Sequence, residues 1–337
     1  MIAASTLQLA SNENPLGMPP AARRAAAEAL DTSDRYPDAA GTQLRAALAQ
    51  KLGVPAEWIV LGSGSSEILT LAALAFVQPG EGVVSSQYGF LVYAQAARLA
   101  HGRHDIVAAK DFGHDLPAML KAIDERTRLV FVANPNNPTG SFLRGGELLP
   151  FLEQVPAHAV VLLDEAYTEY LTPGQRYDSM GWARRFPNLL VARTFSKAFG
   201  LAGLRVGYGV GQPALMARLN ALRPRYNITT PALAAAAAAL ADEDFQARSF
   251  ALNLQGREQL ARGAAELGLR SLPSAGNFVM LEVGDAAGVH SALAGQGILV
   301  ATLEAYGLPR WLRISVGLPE QNTRVLEALA ALPPAST

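Results

Sequence analysis

The chain has no cysteine. That excludes disulfides, thiolate metal ligands and a cysteine nucleophile. Charge is scarce too: 17% of residues are Asp, Glu, Lys or Arg, and they nearly cancel to a net charge of −1. Like charges form no block, so neither a nucleic-acid surface nor a polybasic membrane patch is expected. Long apolar runs are also missing. Runs such as Ile68 to Val77 fall far short of the ~20 residues that cross a bilayer. The opening MIAASTLQLASNENP has no basic segment leading into an apolar one, so no signal peptide is expected. A cytoplasmic protein with no metal site and no membrane partner fits these absences.

Half of the 337 residues are hydrophobic, enough for the core of one large or two medium domains. Residues 19–30 (PPAARRAAAEAL) read as a helix opening on proline. Residues 42–53 (TQLRAALAQKLG) read as a second, with Thr42 as N-cap and Gly53 as stop. WIVLGSG then reads as a strand running into a turn, and SEILTLAALAFV as a helix. GVVSS is a further strand, with a helix expected around 90–100. TRLVFVANPNNPTG, AVVLLDEAY, NLLVARTFSK and RVGYGVG each read as an apolar strand, the first three ending in polar residues. These runs are continuous rather than alternating, which points to a mostly parallel sheet covered on both faces by helices. PALAAAAAAL is rich in the best helix former and begins long helices leading to a smaller C-terminal part. That part carries strands at NFVMLEV, ILVA and WLRISVG and a closing helix after Pro319. No internal repeat is visible.

In open α/β sheets, ligands bind at the carboxyl ends of the strands. The polar residues there therefore define a candidate site: Gly62–Ser66, Asn134–Gly140, Asp164–Tyr167 and Thr194–Arg205. GSGSSE offers hydroxyls and free backbone N–H groups at a helix start, suited to a phosphate or equally to an ordinary strand–helix turn. Thr194 and Ser196 add hydroxyls, and Arg205 adds a charged fork. Asp164 ends an apolar strand, so its carboxylate needs a cationic or N–H partner unless it caps the next segment. Glu165 is expected to point the other way, capping or facing solvent. Lys197 lies beside an arginine and an apolar wall. Both lower an amine pKa and favour a Schiff base with an aldehyde, whereas a surface loop lysine is the plain alternative.

The set NPNNPTG, DEAY, TFSKAFGLAGLRVGYG and LRISVG resembles the fold-type I pyridoxal-phosphate aminotransferases. SNENPLG and RYPD near the start are similar to the histidinol-phosphate subfamily. The resemblance runs over essentially the whole chain. It implies an α/β fold with a mostly parallel seven-stranded sheet in a large cofactor domain (40–235). A smaller α+β domain would be formed by residues 1–39 and 236–337.

The same resemblance assigns roles. Lys197 would hold pyridoxal phosphate and carry the proton between substrate and cofactor. Asp164 would pair with the pyridinium nitrogen, and Tyr167 and Asn137 would bond the ring 3′-oxygen. Gly64, Ser65, Ser66, Thr194, Ser196 and Arg205 would hold the phosphate. Phe90 would stack on the ring, with Tyr88 as its rival. Tyr36 would reach the cofactor phosphate of a neighbouring subunit, making a homodimer with shared active sites. Arg313 would grip the anionic end of the substrate, near Asn14, Tyr36 and Asn137.

The implied activity is transamination between an amino donor and a 2-oxo acid. Histidinol phosphate with 2-oxoglutarate, in histidine biosynthesis, is the leading pair. An aromatic or other amino-acid aminotransferase, or a threonine-phosphate decarboxylase-like lyase, shares most of these motifs. A cofactor-binding transcription regulator would carry a DNA-binding domain. The resemblance begins within the first dozen residues, so none is expected. Two positions depart from the subfamily pattern. Leu16 stands where a tyrosine usually lines the substrate pocket. Ala301 stands where an arginine usually helps bind the substrate phosphate, and Arg310 is the nearest candidate replacement.

Overall fold

The structure, a computed structural model, describes residues 6–332. The outermost parts of the expected smaller domain, residues 1–5 and 333–337, lie outside the described residues. Strand β1 (Leu7–Leu9) is followed by helices α1 (Pro20–Ala29) and α2 (Thr42–Leu52). Next come β2 (Ile59–Gly62), α3 (Ser65–Phe76), β3 (Gly82–Ser86), α4 (Val92–Leu99) and β4 (Arg103–Val107). Strands β5 (Thr127–Ala133), β6 (Val160–Asp164), β7 (Leu189–Thr194) and β8 (Gly207–Val210) complete a seven-stranded sheet. Its order is β2-β8-β7-β6-β5-β3-β4. Only β8 breaks the parallel arrangement, running antiparallel to both β2 and β7. This is the α/β fold expected from the apolar strands.

Strand β5 shows why those strands are apolar throughout. Val130 and Val132 belong to one core cluster, Leu129 and Phe131 to another. Successive strand side chains point to opposite faces. Here helices cover both faces, so no polar alternation survives. Burying a side chain such as Phe131, which is 0% exposed, contributes about 1.5–3 kcal/mol.

The second sheet has five strands in the order β1-β11-β12-β10-β9. It adds β9 (Arg270–Leu272), β10 (Phe278–Glu282), β11 (Ile298–Thr302) and β12 (Trp311–Ser315). β1 runs parallel to β11, and the other pairs are antiparallel. The N-terminal arm is therefore divided. Its strand joins the small sheet, whereas Ala22 of α1 is buried with Ala232, Ala235 and Ala236 of the helix Thr230–Ala241, in a core cluster of the large sheet. Alanine methyls let these two helices approach closely.

The helix starts depart from expectation in one place. Thr42 is not the N-cap of α2. Gly41, at φ 57, holds that position, and Thr42 is the first helical residue. The Asp38 carboxylate accepts the Thr42 N–H at 2.7 Å and the Ala40 N–H at 2.9 Å. It supplies the acceptor that a capping hydroxyl would give. These bonds hold its pKa below the usual carboxylate value. Among the described residues, no helix is long and apolar enough to cross a membrane.

Candidate active site

A cavity of about 450 Å³ opens at the carboxyl ends of β5, β6 and β7 and continues to the small sheet. That volume lies within the range of small-molecule sites.

One end is built for an anion. β7 delivers Thr194, Ser196 follows in the next turn, and α3 begins at Ser65 and Ser66. Thr194 Oγ1 donates to Ser196 Oγ at 3.0 Å, and Arg205 Nη1 donates to Ser196 Oγ at 3.1 Å. Two glycines make this fit possible. A Cβ at Gly64, which has φ +77, would lie 2.3 Å from Arg205 Nη2. A Cβ at Gly207 would lie 2.3 Å from the Ser65 amide nitrogen. Arg205 itself adopts φ 56, an uncommon conformation for a side chain of this size. Helix N–H groups, hydroxyls and a guanidinium thus converge where a phosphate would sit.

Deeper in the cavity, Asp164 closes β6. Tyr93 Oη, from α4, donates to Asp164 Oδ2 at 2.9 Å. Oδ1 is buried and has no hydrogen-bond partner among the described residues. Burial pushes the carboxyl up to about 6, against the Tyr93 hydrogen bond that favours its ionised form. An N–H donor meeting Oδ1 would satisfy it. Tyr167 is buried, and its oxygen accepts from Asn12 Nδ2 at 3.0 Å. Burial raises the phenol to about 12, opposed by the Arg313 charge. Its O–H therefore remains available as a donor.

Lys197 Nζ donates to the Ser11 carbonyl oxygen at 2.9 Å and lies 6.0 Å from the Tyr167 ring centre. Burial lowers the amine to about 8, and the Arg313 charge pushes the same way. Arg313 projects from β12. Its Nη1 donates to Asn137 Oδ1, its Nη2 donates to the Ala10 carbonyl at 2.7 Å, and its buried Nε has no partner.

These residues fit pyridoxal phosphate on their own chemistry. The orphaned Asp164 oxygen suits a ring N–H, the converging donors suit its phosphate, and a lysine of lowered pKa suits its aldehyde. Phe90, Asn137 and Arg313 line the same cavity. Gly64 borders it through its contact with Arg205.

Several expectations are corrected. Glu165 neither caps nor faces solvent: it is 0% exposed and pairs with Arg193 at 2.8 Å, because the strand end is covered on that face too. Asn14 does not line the cavity. It is buried beneath it, donating to the Ala198 carbonyl at 2.9 Å and to Ser249 Oγ at 2.8 Å. Arg310 does not replace the cation missing at Ala301. It is exposed and donates to Glu282 at 3.2 Å, because its position next to β12 turns it to solvent. Of the two aromatic candidates, Phe90 reaches the cavity, whereas Tyr88 stacks on Phe112 at 5.8 Å. Tyr36 lies outside the cavity of its own chain, 81% exposed and stacked on Tyr226.

Sequence reasoning missed Tyr93, Asn12, Ser11, Glu13, Leu91 and Tyr306. Tyr93 left a signal, because a tyrosine on the inward face of a helix needs a partner for its O–H. Ser11 and Asn12 lie in SNENPLG, yet their individual roles left no signal, because their partners lie more than 150 residues away.

The sequence matches the family described as Aminotransferase class I and II over residues 4–329. It is 56% identical to "Histidinol-phosphate aminotransferase 2" of Ralstonia nicotianae, over 97% of this chain and 88% of that protein. It is 53% identical to "Histidinol-phosphate aminotransferase 1" of Cupriavidus pinatubonensis, with the same coverage. The structure of histidinol-phosphate aminotransferase from Sinorhizobium meliloti, in complex with pyridoxal-5′-phosphate, superposes with a TM-score of 0.89 at 31% identity. The match covers 98% of this chain and 90% of that one. A Thermus thermophilus aspartate aminotransferase mutant superposes at 0.85 with 25% identity, over 96% of this chain and 95% of that one.

Proposed function

The chain belongs to the class I and II aminotransferases, and on that premise we propose that it transfers the amino group of histidinol phosphate to 2-oxoglutarate. It is a pyridoxal-phosphate-dependent enzyme. The observation carrying the substrate assignment is the 56% identity, over nearly the whole chain, to a protein named for that activity. The fold alone would not carry it, since an aspartate aminotransferase shares it.

When bound, the cofactor supplies an electrophilic aldehyde carbon and a ring that accepts the electron pair left on the substrate α-carbon. The chain's own residues do the rest. The Ser65, Ser66, Thr194, Ser196 and Arg205 donors hold the phosphate. Asp164 Oδ1 would accept the N–H of the ring nitrogen and keep it protonated. Tyr167 and Asn137 would donate to the ring 3′-oxygen. Phe90 would stack on the ring. The Lys197 amine, lowered to about 8 by burial and the Arg313 charge, would take the proton from the substrate α-carbon and return it to the former aldehyde carbon, across the nitrogen that joins the two. Arg313 holds the substrate's anionic group.

The active enzyme is a homodimer in this reading. Support comes from Tyr36, 81% exposed yet fixed by its stack on Tyr226, and from the exposed Leu30 and Leu222. Tyr36 would complete the phosphate site of a second copy. We also take residues 40–235 as the large domain and the remainder as the small one, with β1 joined to β11 in support, while α1 crosses to pack on the large-sheet core.

The test is turnover of histidinol phosphate, phenylalanine and tyrosine with 2-oxoglutarate. Histidinol phosphate is expected to give the highest kcat/KM. A preference for the aromatic amino acids would replace the substrate assignment, and carbon dioxide release without transfer would remove transamination altogether.

A further inference from the structure

The wall of the cavity formed by the small sheet is short of positive charge. Ala301 and Arg313 are register partners on the antiparallel strands β11 and β12, so their side chains share one face and lie side by side. Arg313 therefore has only the Ala301 methyl group beside it on β11, and Met280 on β10. Among the described residues, the cations lining the cavity are Lys197, Arg205 and Arg313. The first two serve the cofactor, which leaves Arg313 alone for the substrate. Two of its N–H groups are already engaged, by Asn137 and by the Ala10 carbonyl. A phosphate has more acceptor sites than this one fork can satisfy.

Tyr306 supplies what is missing. It ends the short turn Glu304–Tyr306 that follows β11, and it lines the same cavity. Its ring is anchored against the cluster of Met280, Leu303, Leu308 and Trp311. Gly307, at φ 72, reverses the chain immediately after it. Tyr306, Arg313 and Leu91, the residue preceding α4, line the same cavity. Burial raises the pKa of the Tyr306 phenol, with the Arg313 charge opposing, so it stays protonated and able to donate at neutral pH.

We propose that the Tyr306 hydroxyl is the second donor, beside Arg313, for the phosphate of the substrate, taking the place of a second cation. This rests on the histidinol-phosphate reading. It makes Tyr306 a specificity-determining residue and assigns phosphate recognition to a neutral donor plus one arginine.

The test compares wild type and Tyr306→Phe, both loaded with cofactor, on histidinol phosphate and on histidinol. The phenylalanine keeps the ring packing and removes only the hydroxyl. Loss of one hydrogen bond to a charged group is expected to lower kcat/KM for histidinol phosphate about tenfold or more, through KM. The kcat/KM for histidinol and the visible absorbance of the bound cofactor are expected to stay unchanged. An equal loss on both substrates, or no loss on either, would overturn the assignment of Tyr306 and leave the activity itself standing. Failure of the wild type to transaminate histidinol phosphate would instead remove the functional reading, and this inference with it.

Discussion

Asp164 and Glu165 are adjacent in the chain and face opposite sides of the large sheet. On the cavity side Tyr93 donates to Asp164 at 2.9 Å; on the other side Arg193 Nε donates to Glu165 at 2.8 Å. β7 repeats the division: Thr194 lines the cavity and Arg193 points away from it. Each strand end therefore carries one residue for chemistry and one for an internal ion pair that fixes the strand ends against each other. Ser179 joins that pair, donating to Glu165 Oε2 at 3.0 Å.

Removing one member of this pair is expected to cost far more than removing both. Arg193→Met leaves Glu165, which is 0% exposed, as an uncompensated buried charge, a change of about 3–5 kcal/mol. Urea denaturation would show a lower midpoint, with partial recovery in the double variant Arg193→Met/Glu165→Gln. An unchanged midpoint in the single variant would mean that water reaches Glu165 in solution.

Lys197→Ala is expected to abolish both turnover and the visible absorbance of the bound cofactor, since among the described residues no other amine lines the cavity. Phosphate-directed binding is expected to persist, because Ser65, Ser66, Thr194, Ser196 and Arg205 are untouched. Undiminished activity would refute the assignment of the lysine.

Asp164→Ala separates binding from chemistry. The variant is expected to retain cofactor through the phosphate cradle, yet kcat is expected to fall by about 10²–10³, the usual scale for losing one preorganised electrostatic partner. Rapid-quench measurement of a single half-reaction isolates that step from product release. A wild-type rate would remove Asp164 from the mechanism.

Much of this was legible in the sequence for a physical reason. Strands covered on both faces must be apolar throughout, so VVLLD and LLVART announced both the parallel sheet and the polar residues at its carboxyl edge. The phosphate cradle was legible because glycine and hydroxyl residues are local in sequence. What stayed hidden depended on distant pairing. Glu165 looked exposed because its partner Arg193 lies on another strand, and Asn14 looked like a ligand group because Ser249 and Ala198 come together only after folding. Tyr306 gave no signal, since neither its turn nor its neighbours distinguish it until β11 and β12 pair with Ala301 opposite Arg313.

The pH dependence of cofactor capture follows from Lys197. Burial and then Arg313 bring its amine from 10.5 to about 8. Only the neutral amine attacks the aldehyde. Below pH 8 the capture rate of the apoenzyme is therefore expected to fall toward tenfold per pH unit, and above it to level off. An unperturbed lysine would instead keep gaining rate up to about pH 10.4. The same shift is linked to stability. Between about 8 and 10.5 the unfolded chain holds a proton that the folded apoprotein has released, so the Lys197 contribution to stability rises with pH across that window. Arg313→Leu removes the second cause of the shift and is expected to move the kinetic break upward. Stopped-flow absorbance of apoenzyme mixed with cofactor, from about pH 7 to 10, reads the break directly. A wild-type rate still climbing at the top of that range would show that the Lys197 amine is not depressed in solution.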